Sequence, residues 1–164
     1  MNPYSNYSMK SVIYLKKSKS EEVIIDLVAF SFVKEWNIML FESKEHHQFY
    51  LKCMEISTKD DTYHRALFYT LGINPDTRRN IHEIYDFKTN LINLNVLRKG
   101  WQTSGSYQVC LLAFNLFNGY TPKTQASRST PYELFNSSEA PFFMQAIKIK
   151  FPEPFREKQK GMDR

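Results

Sequence analysis

The chain has 164 residues, 42% hydrophobic and 15% aromatic, with five glycines and seven prolines. That is enough apolar material for one domain with its own core, and it excludes a disordered, collagen-like or low-complexity chain. The net charge is +5, yet residues 39–149 carry 12 basic against 10 acidic side chains, so a pI near 9.1 is weak evidence for a nucleic-acid surface.

The first 38 residues read differently from the rest. They hold one weak strand, Ser11 to Leu15, a Lys/Ser run, and an apolar stretch, Val23 to Val33, without clean alternation. Lys34-Glu35 can be encoded by AAGGAG, a purine-rich ribosome-binding sequence, and three codons separate it from Met39. Residues 1–38 are therefore either a leader translated upstream of a native start at Met39 or a genuine N-terminal strand or arm.

From Met39 the sequence predicts short helices divided by strong punctuation. Ser43 caps a helix running to about Ile56, with Phe49, Tyr50, Cys53 and Met54 at helical spacing. A second helix starts near Asp61 and stops at Gly72, read as a left-handed C-terminal cap. Asn74-Pro75-Asp76 opens a third as N-cap, first-turn proline and favourable acid, with Ile81, Ile84 and Tyr85 inward. Residues 87–106 form a looser connection with a short helix over Asn93 to Arg98. A central apolar helix follows over about 107–117, capped by Ser106 and stopped by Asn118-Gly119. Thr130 to Glu133 forms a capping box, and a last amphipathic helix runs from about Pro141 to Lys150. The expected architecture is a mainly α, compact single-domain bundle of five or six helices over 39–151, followed by a basic, frayed tail over 152–164.

The block from Gly100 to Tyr120, GWQTSGSYQVCLLAFNLFNGY, is expected to organise this fold. Its helix is almost wholly apolar, and Gln108, Asn115 and Asn118 project to roughly one side of it. Such a stripe is either a buried hydrogen-bond network that fixes the core or one wall of a binding site; the network is preferred. Trp101, Gln102 and Thr103 precede the helix and offer either a ligand platform or a Trp closing the core.

Arg78 and Arg79 open the third helix, with His82 one turn on, where guanidinium groups can hold phosphate or carboxylate. A partly buried arginine paired with a carboxylate is the plainer reading of Arg78. His64 and Arg65 join the same pocket if the second and third helices pack antiparallel. No CxxC, HxxxH or His-x-Glu spacing joins the histidines to Cys53 or Cys110, so neither a metal nor another cofactor is expected. The two cysteines lie in apolar helical patterns and suit buried free thiols of a reducing compartment. No signal-peptide pattern is present and the apolar runs are too short for a bilayer, so the expected location is cytoplasmic with no membrane partner.

Four segments carry a resemblance. FESKEHHQFY, DTYHRALFYTLGINPDTRRNIHEIYDF, GWQTSGSYQVCLLAFNLFNGY and STPYELFNSSEAPFFMQAIKIKFPE, in that order over Leu40 to Glu153, resemble a bacterial family of unknown function, DUF6075, seen mainly in Firmicutes and their mobile elements. The resemblance implies a start near Met39 and carries no established activity. It marks His64, Arg65, Arg78, Trp101, Gln102, Thr103, Asn115 and Asn118 as positions where family pattern and polar chemistry coincide.

Three functions are carried forward. The first is a non-enzymatic interaction domain holding a protein partner in a groove near Trp101 and the third helix. The second is a nucleic-acid binder using Arg65, Arg78, Arg79, Lys99 and the tail. The third is a small hydrolase or nuclease centred on His64 and His82. Nothing in the sequence sets the oligomeric state.

Overall fold

A computed structural model describes residues 12–14, 39–124 and 126–155. The proposed leader and the distal tail therefore lie largely outside the described residues. Among those described are seven α-helices: α1 (Lys44–Ser57), α2 (Thr62–Gly72), α3 (Pro75–Arg79), α4 (Ile81–Ile84), α5 (Ser104–Asn118), α6 (Pro131–Phe135) and α7 (Ala140–Lys150). Two short strand pairs accompany them. β1 (Val12–Tyr14) runs parallel to β2 (Met39–Phe41), with Val12 opposite Met39, and β3 (Tyr85–Asp86) pairs antiparallel with β4 (Leu91–Ile92).

The fold is mainly α, as the hydrophobic periodicity predicts, and α2 is its axis. Every residue from Ala66 to Ile73 is buried, so the C-terminal part of this helix is enclosed on all sides, with α1, α5 and α7 packed against the helix. Leu67, Phe68, Tyr69 and Leu71 are fully buried, and each such apolar side chain contributes about 1.5–3 kcal/mol of burial. α5 is the second core helix, burying Val109 to Phe114 and Leu116. The block from Gly100 to Tyr120 thus supplies one wall of the core, while the helix it packs on organises the whole.

Local chemistry explains most boundaries. The Ser43 hydroxyl accepts from His46 N–H at 3.2 Å, Asp61 from the N–H groups of Tyr63 and His64, and Asn74 from Asp76 N–H at 2.8 Å. The expected third helix is split at Asn80, whose side-chain amide donates to the Asp76 carbonyl; the split makes seven helices of the expected five or six. α5 begins earlier than expected, because Thr103 rather than Ser106 is its cap. The Thr103 hydroxyl accepts from Ser106 N–H, and the Ser106 hydroxyl accepts from Thr103 N–H at 2.8 Å. Gly119, at φ 78°, ends the helix in the left-handed region.

Three local expectations are corrected. Gly72 is not a left-handed cap: it is the last helical residue of α2, and its role is close approach to His46. Thr130 makes no capping bond; its hydroxyl donates instead to the Ser127 carbonyl at 2.8 Å. The 87–106 connection keeps its expected short helix, a 3-10 helix over Leu94–Arg98, but is less loose than expected: it also supplies β4, which pairs back on β3 through a turn with Asn90 at φ 57°.

Candidate functional site

A cleft of about 200 Å³ opens between α1 and the α3–α4 segment. Phe49, Cys53, Ile81 and Phe87 give it apolar walls, with Ile56 at 43% exposure on the open side. Lys52, Arg78, Arg79 and His82 supply the polar lining, and none of the lining residues is acidic. The sequence singled out Arg78, Arg79 and His82, and the structure brings these three together. It missed Lys52, Phe49, Ile56 and Phe87. The signal for the α1 residues was the i, i+3, i+4, i+7 spacing of 49, 52, 53 and 56, whose open edge carries a lysine.

The four basic residues are not equivalent. The Arg78 side chain is largely buried; its Nη1 donates to the Gly72 carbonyl at 2.6 Å and lies 3.8 Å from Glu42 Oε2. Burial lowers its pKa from the ordinary arginine value, while Glu42 and Glu45 oppose that shift. Arg78 is thereby fixed at the C-terminal end of α2, where carbonyl groups and the helix dipole favour a cation. Arg79 is exposed and paired with Asp76. Lys52 has no carboxylate within ion-pair distance among the described residues, and His82 lies against Phe87 with ring centroids 5.7 Å apart.

The other sequence candidates stand elsewhere. His64 is buried, and its Nδ1 donates to the Asp61 carboxylate at 2.8 Å. Its ring meets Phe68, Tyr85 and Phe117, while its Nε2 is buried without a hydrogen-bond partner among the described residues. Burial raises the Asp61 carboxyl, but hydrogen bonds from His64 and Tyr63 outweigh it and hold the pKa below the usual range. Arg65 donates to Asp60 at 2.6 Å. His64 is closed in by rings while His82 lines the cleft, and among the described residues no hydrogen bond or ring contact joins the two imidazoles directly.

Trp101 is half-buried, packs against the core and is not among the cleft residues. Gln102 donates to the Val96 carbonyl at 3.1 Å and accepts from the Ser106 hydroxyl at 2.7 Å. Thr103, besides capping α5, donates to Asp76 Oδ2 at 3.4 Å, joining α5 to α3. All three side chains are engaged in structure.

The expected core network of Gln108, Asn115 and Asn118 is not present. Asn115 and Asn118 are exposed, and both serve the turn after α5: Asn115 donates to the Tyr120 carbonyl at 3.1 Å, and Asn118 accepts from Tyr120 N–H at 3.1 Å. Gln108 donates to the Glu133 carbonyl at 3.0 Å, tying α5 to α6. The buried polar chemistry lies instead at His46, which is fully buried and was not among the expected site residues. His46 Nε2 donates to the Tyr69 carbonyl at 2.7 Å, and its Nδ1 accepts from Glu42 N–H at 3.2 Å. Its position at the head of the buried 46, 50, 53, 57 stripe of α1 was the available clue.

Among the described residues, no group of three or more His, Cys, Asp or Glu is arranged to hold a metal ion. No helix among them is long and apolar enough to cross a membrane. The chain matches the family of unknown function DUF6075 over residues 36–163, and it belongs to that family. No curated protein and no solved structure matches it.

Proposed function

We propose that this DUF6075 member is a non-enzymatic cytoplasmic binding module, and that the α1/α3–α4 cleft holds an acidic, partly apolar segment of a protein partner. One observation carries the reading: an apolar-walled cleft lined by four basic residues and by no carboxylate. Apolar walls give a partner side chain somewhere to leave water, and cations at the lining select carboxylates near it. Arg78 and Arg79 are partly offset by Glu42 and Asp76, which leaves Lys52 as the cation with most to gain from a partner. The cleft is small beside an ordinary drug-sized pocket, which suits an anchoring side chain rather than an enclosed substrate. Such a module fits the accessory role expected of a mobile-element protein.

The test is affinity capture from the native host with Lys52→Glu/Arg79→Glu beside the parent chain and Lys123→Glu, an exposed control outside the cleft. The expected result is loss of one captured protein only in the double variant, with unchanged thermal unfolding. An unchanged set of captured proteins in a folded double variant contradicts the reading.

A further inference from the structure

The cations expected to contact nucleic acid are mostly engaged within the chain. Arg65 donates to Asp60, Arg78 to the Gly72 carbonyl and Arg79 to Asp76, and Lys99 lies 3.4 Å from Glu83. A different basic surface stands where α7 ends beside the start of α2, and it shares no residue with the cleft. Tyr63, Phe151 and Phe155 are exposed there by 51%, 49% and 45%. Lys150 Nζ sits 2.7 Å from the centroid of the Tyr63 ring and 5.7 Å from that of Phe151, while Lys148 Nζ is 5.7 Å from that of Phe155.

Neither ammonium has a carboxylate within ion-pair distance among the described residues. Burial lowers the pKa of Lys150, with Asp61 opposing the shift. Two cations that lack carboxylate partners and rest on three exposed rings make a cluster of aromatic and basic groups, and this cluster does not form part of the core.

We infer that the face formed by Tyr63, Lys148, Lys150, Phe151 and Phe155 binds single-stranded nucleic acid, the lysines taking phosphates and the rings stacking bases. A single strand presents a charged phosphate and a flat base in every unit, and this surface sets two ammonium groups among three flat rings. A duplex hides its base faces. A membrane surface calls for apolar groups clear of charge that enter the bilayer while lysines reach away, whereas here each exposed ring carries a cation on its own face.

The experiment is fluorescence anisotropy with the full chain and a labelled single strand of roughly 12 nucleotides and mixed sequence, starting at low salt. Parallel arms use the same sequence as a blunt duplex and vesicles containing phosphatidylglycerol. The expected result is tighter binding to the single strand than to the duplex, with little binding to vesicles. Lys148→Ala/Lys150→Ala should weaken it and reduce the slope of log affinity against log salt by about 1.4, as for two lost phosphate contacts. Tyr63→Ala/Phe151→Ala should weaken it at least about fivefold and leave that slope unchanged. No binding at low salt, equal affinity in both folded variants, a preference for duplex, or binding to vesicles alone would each overturn the inference.

Discussion

The ring of His46 fills the space that a side chain at Gly72 would occupy. A methyl group added to Gly72 would lie 2.8 Å from His46 Nε2 and closer still to Cδ2, with Phe49 Cδ1 at 3.1 Å. The imidazole cannot withdraw, because Tyr69 O and Glu42 N–H hold both its nitrogens. This contact locks α1 to the C-terminal end of α2, the same end that Arg78 and Thr77 cap from α3. The cleft is built on that junction.

Gly72→Ala should therefore destabilise the fold. In an open helical site the same change stabilises by about 1 kcal/mol. Here overpacking against a fixed ring should reverse the sign and cost about 1–3 kcal/mol. Urea denaturation of the two proteins, compared at midpoint with equal slopes, checks the sign.

Burial pushes the His46 pKa down to about 3, with His47 and Arg78 adding to the shift and the Tyr69 carbonyl opposing it. Folding thus requires the neutral ring, and Nδ1 must stay unprotonated to accept from Glu42 N–H. Between pH 3 and the ordinary histidine value of 6.5, the unfolded chain binds the extra proton. This contribution is complete above about pH 6.5 and falls with acidification, by about 1.4 kcal/mol per pH unit once the unfolded ring is charged. Melting temperature measured from pH 7 to pH 5 should drop before the carboxylates begin to titrate. His46→Gln should be less stable at pH 7 and show a flatter profile over the same interval.

The GWQT segment offers a test that separates structure from binding. Thr103→Ala removes the cap of α5 and its bond to Asp76, and should cost about 1 kcal/mol. Gln102→Ala removes one of two donors to the Val96 carbonyl and one partner of the Ser106 hydroxyl, both of which keep another, and should also cost about 1 kcal/mol. Neither should change which partner the cleft captures at a temperature where the variants remain folded.

Both cysteines should be inert in the native protein. Burial raises the pKa of Cys53 and of Cys110 to about 12, so almost no thiolate exists at pH 8. A chromogenic disulfide reagent should report no fast-reacting thiol in the native protein and two after unfolding in guanidinium.

Among the described residues the core side chains run from Phe41 to Ala146, so a chain beginning at Met39 should keep the fold. Its unfolding should remain cooperative after loss of the β1–β2 pairing. The N-terminal mass of the native protein decides separately whether synthesis begins at Met39.

The legibility of this chain followed the range of the interactions. Caps at Ser43, Asn74 and Gly119 were readable because each signal and its consequence lie within a few residues. Gly72 was read by the same local logic and given the wrong role, because the ring that requires a glycine there stands 26 residues earlier. Asn115 and Asn118 were read as buried because they sit in an apolar helix, yet they fall on its outward side and satisfy the following turn. The cleft was half legible: Arg78, Arg79 and His82 share a short segment, whereas Lys52 and Ile56 reach it only through the packing of α1.

The measurement that bears most directly on the cleft as a partner site is site-specific photocross-linking in host cells. A photoreactive residue replaces Ile56, on the open side of the cleft, and in a second strain Leu91, which is 63% exposed and outside it. Cross-linking from position 56 to a single protein, at a segment rich in carboxylates, with no adduct from position 91, is the predicted result. The same adducts from both positions, or none from position 56 in a folded protein, would contradict it.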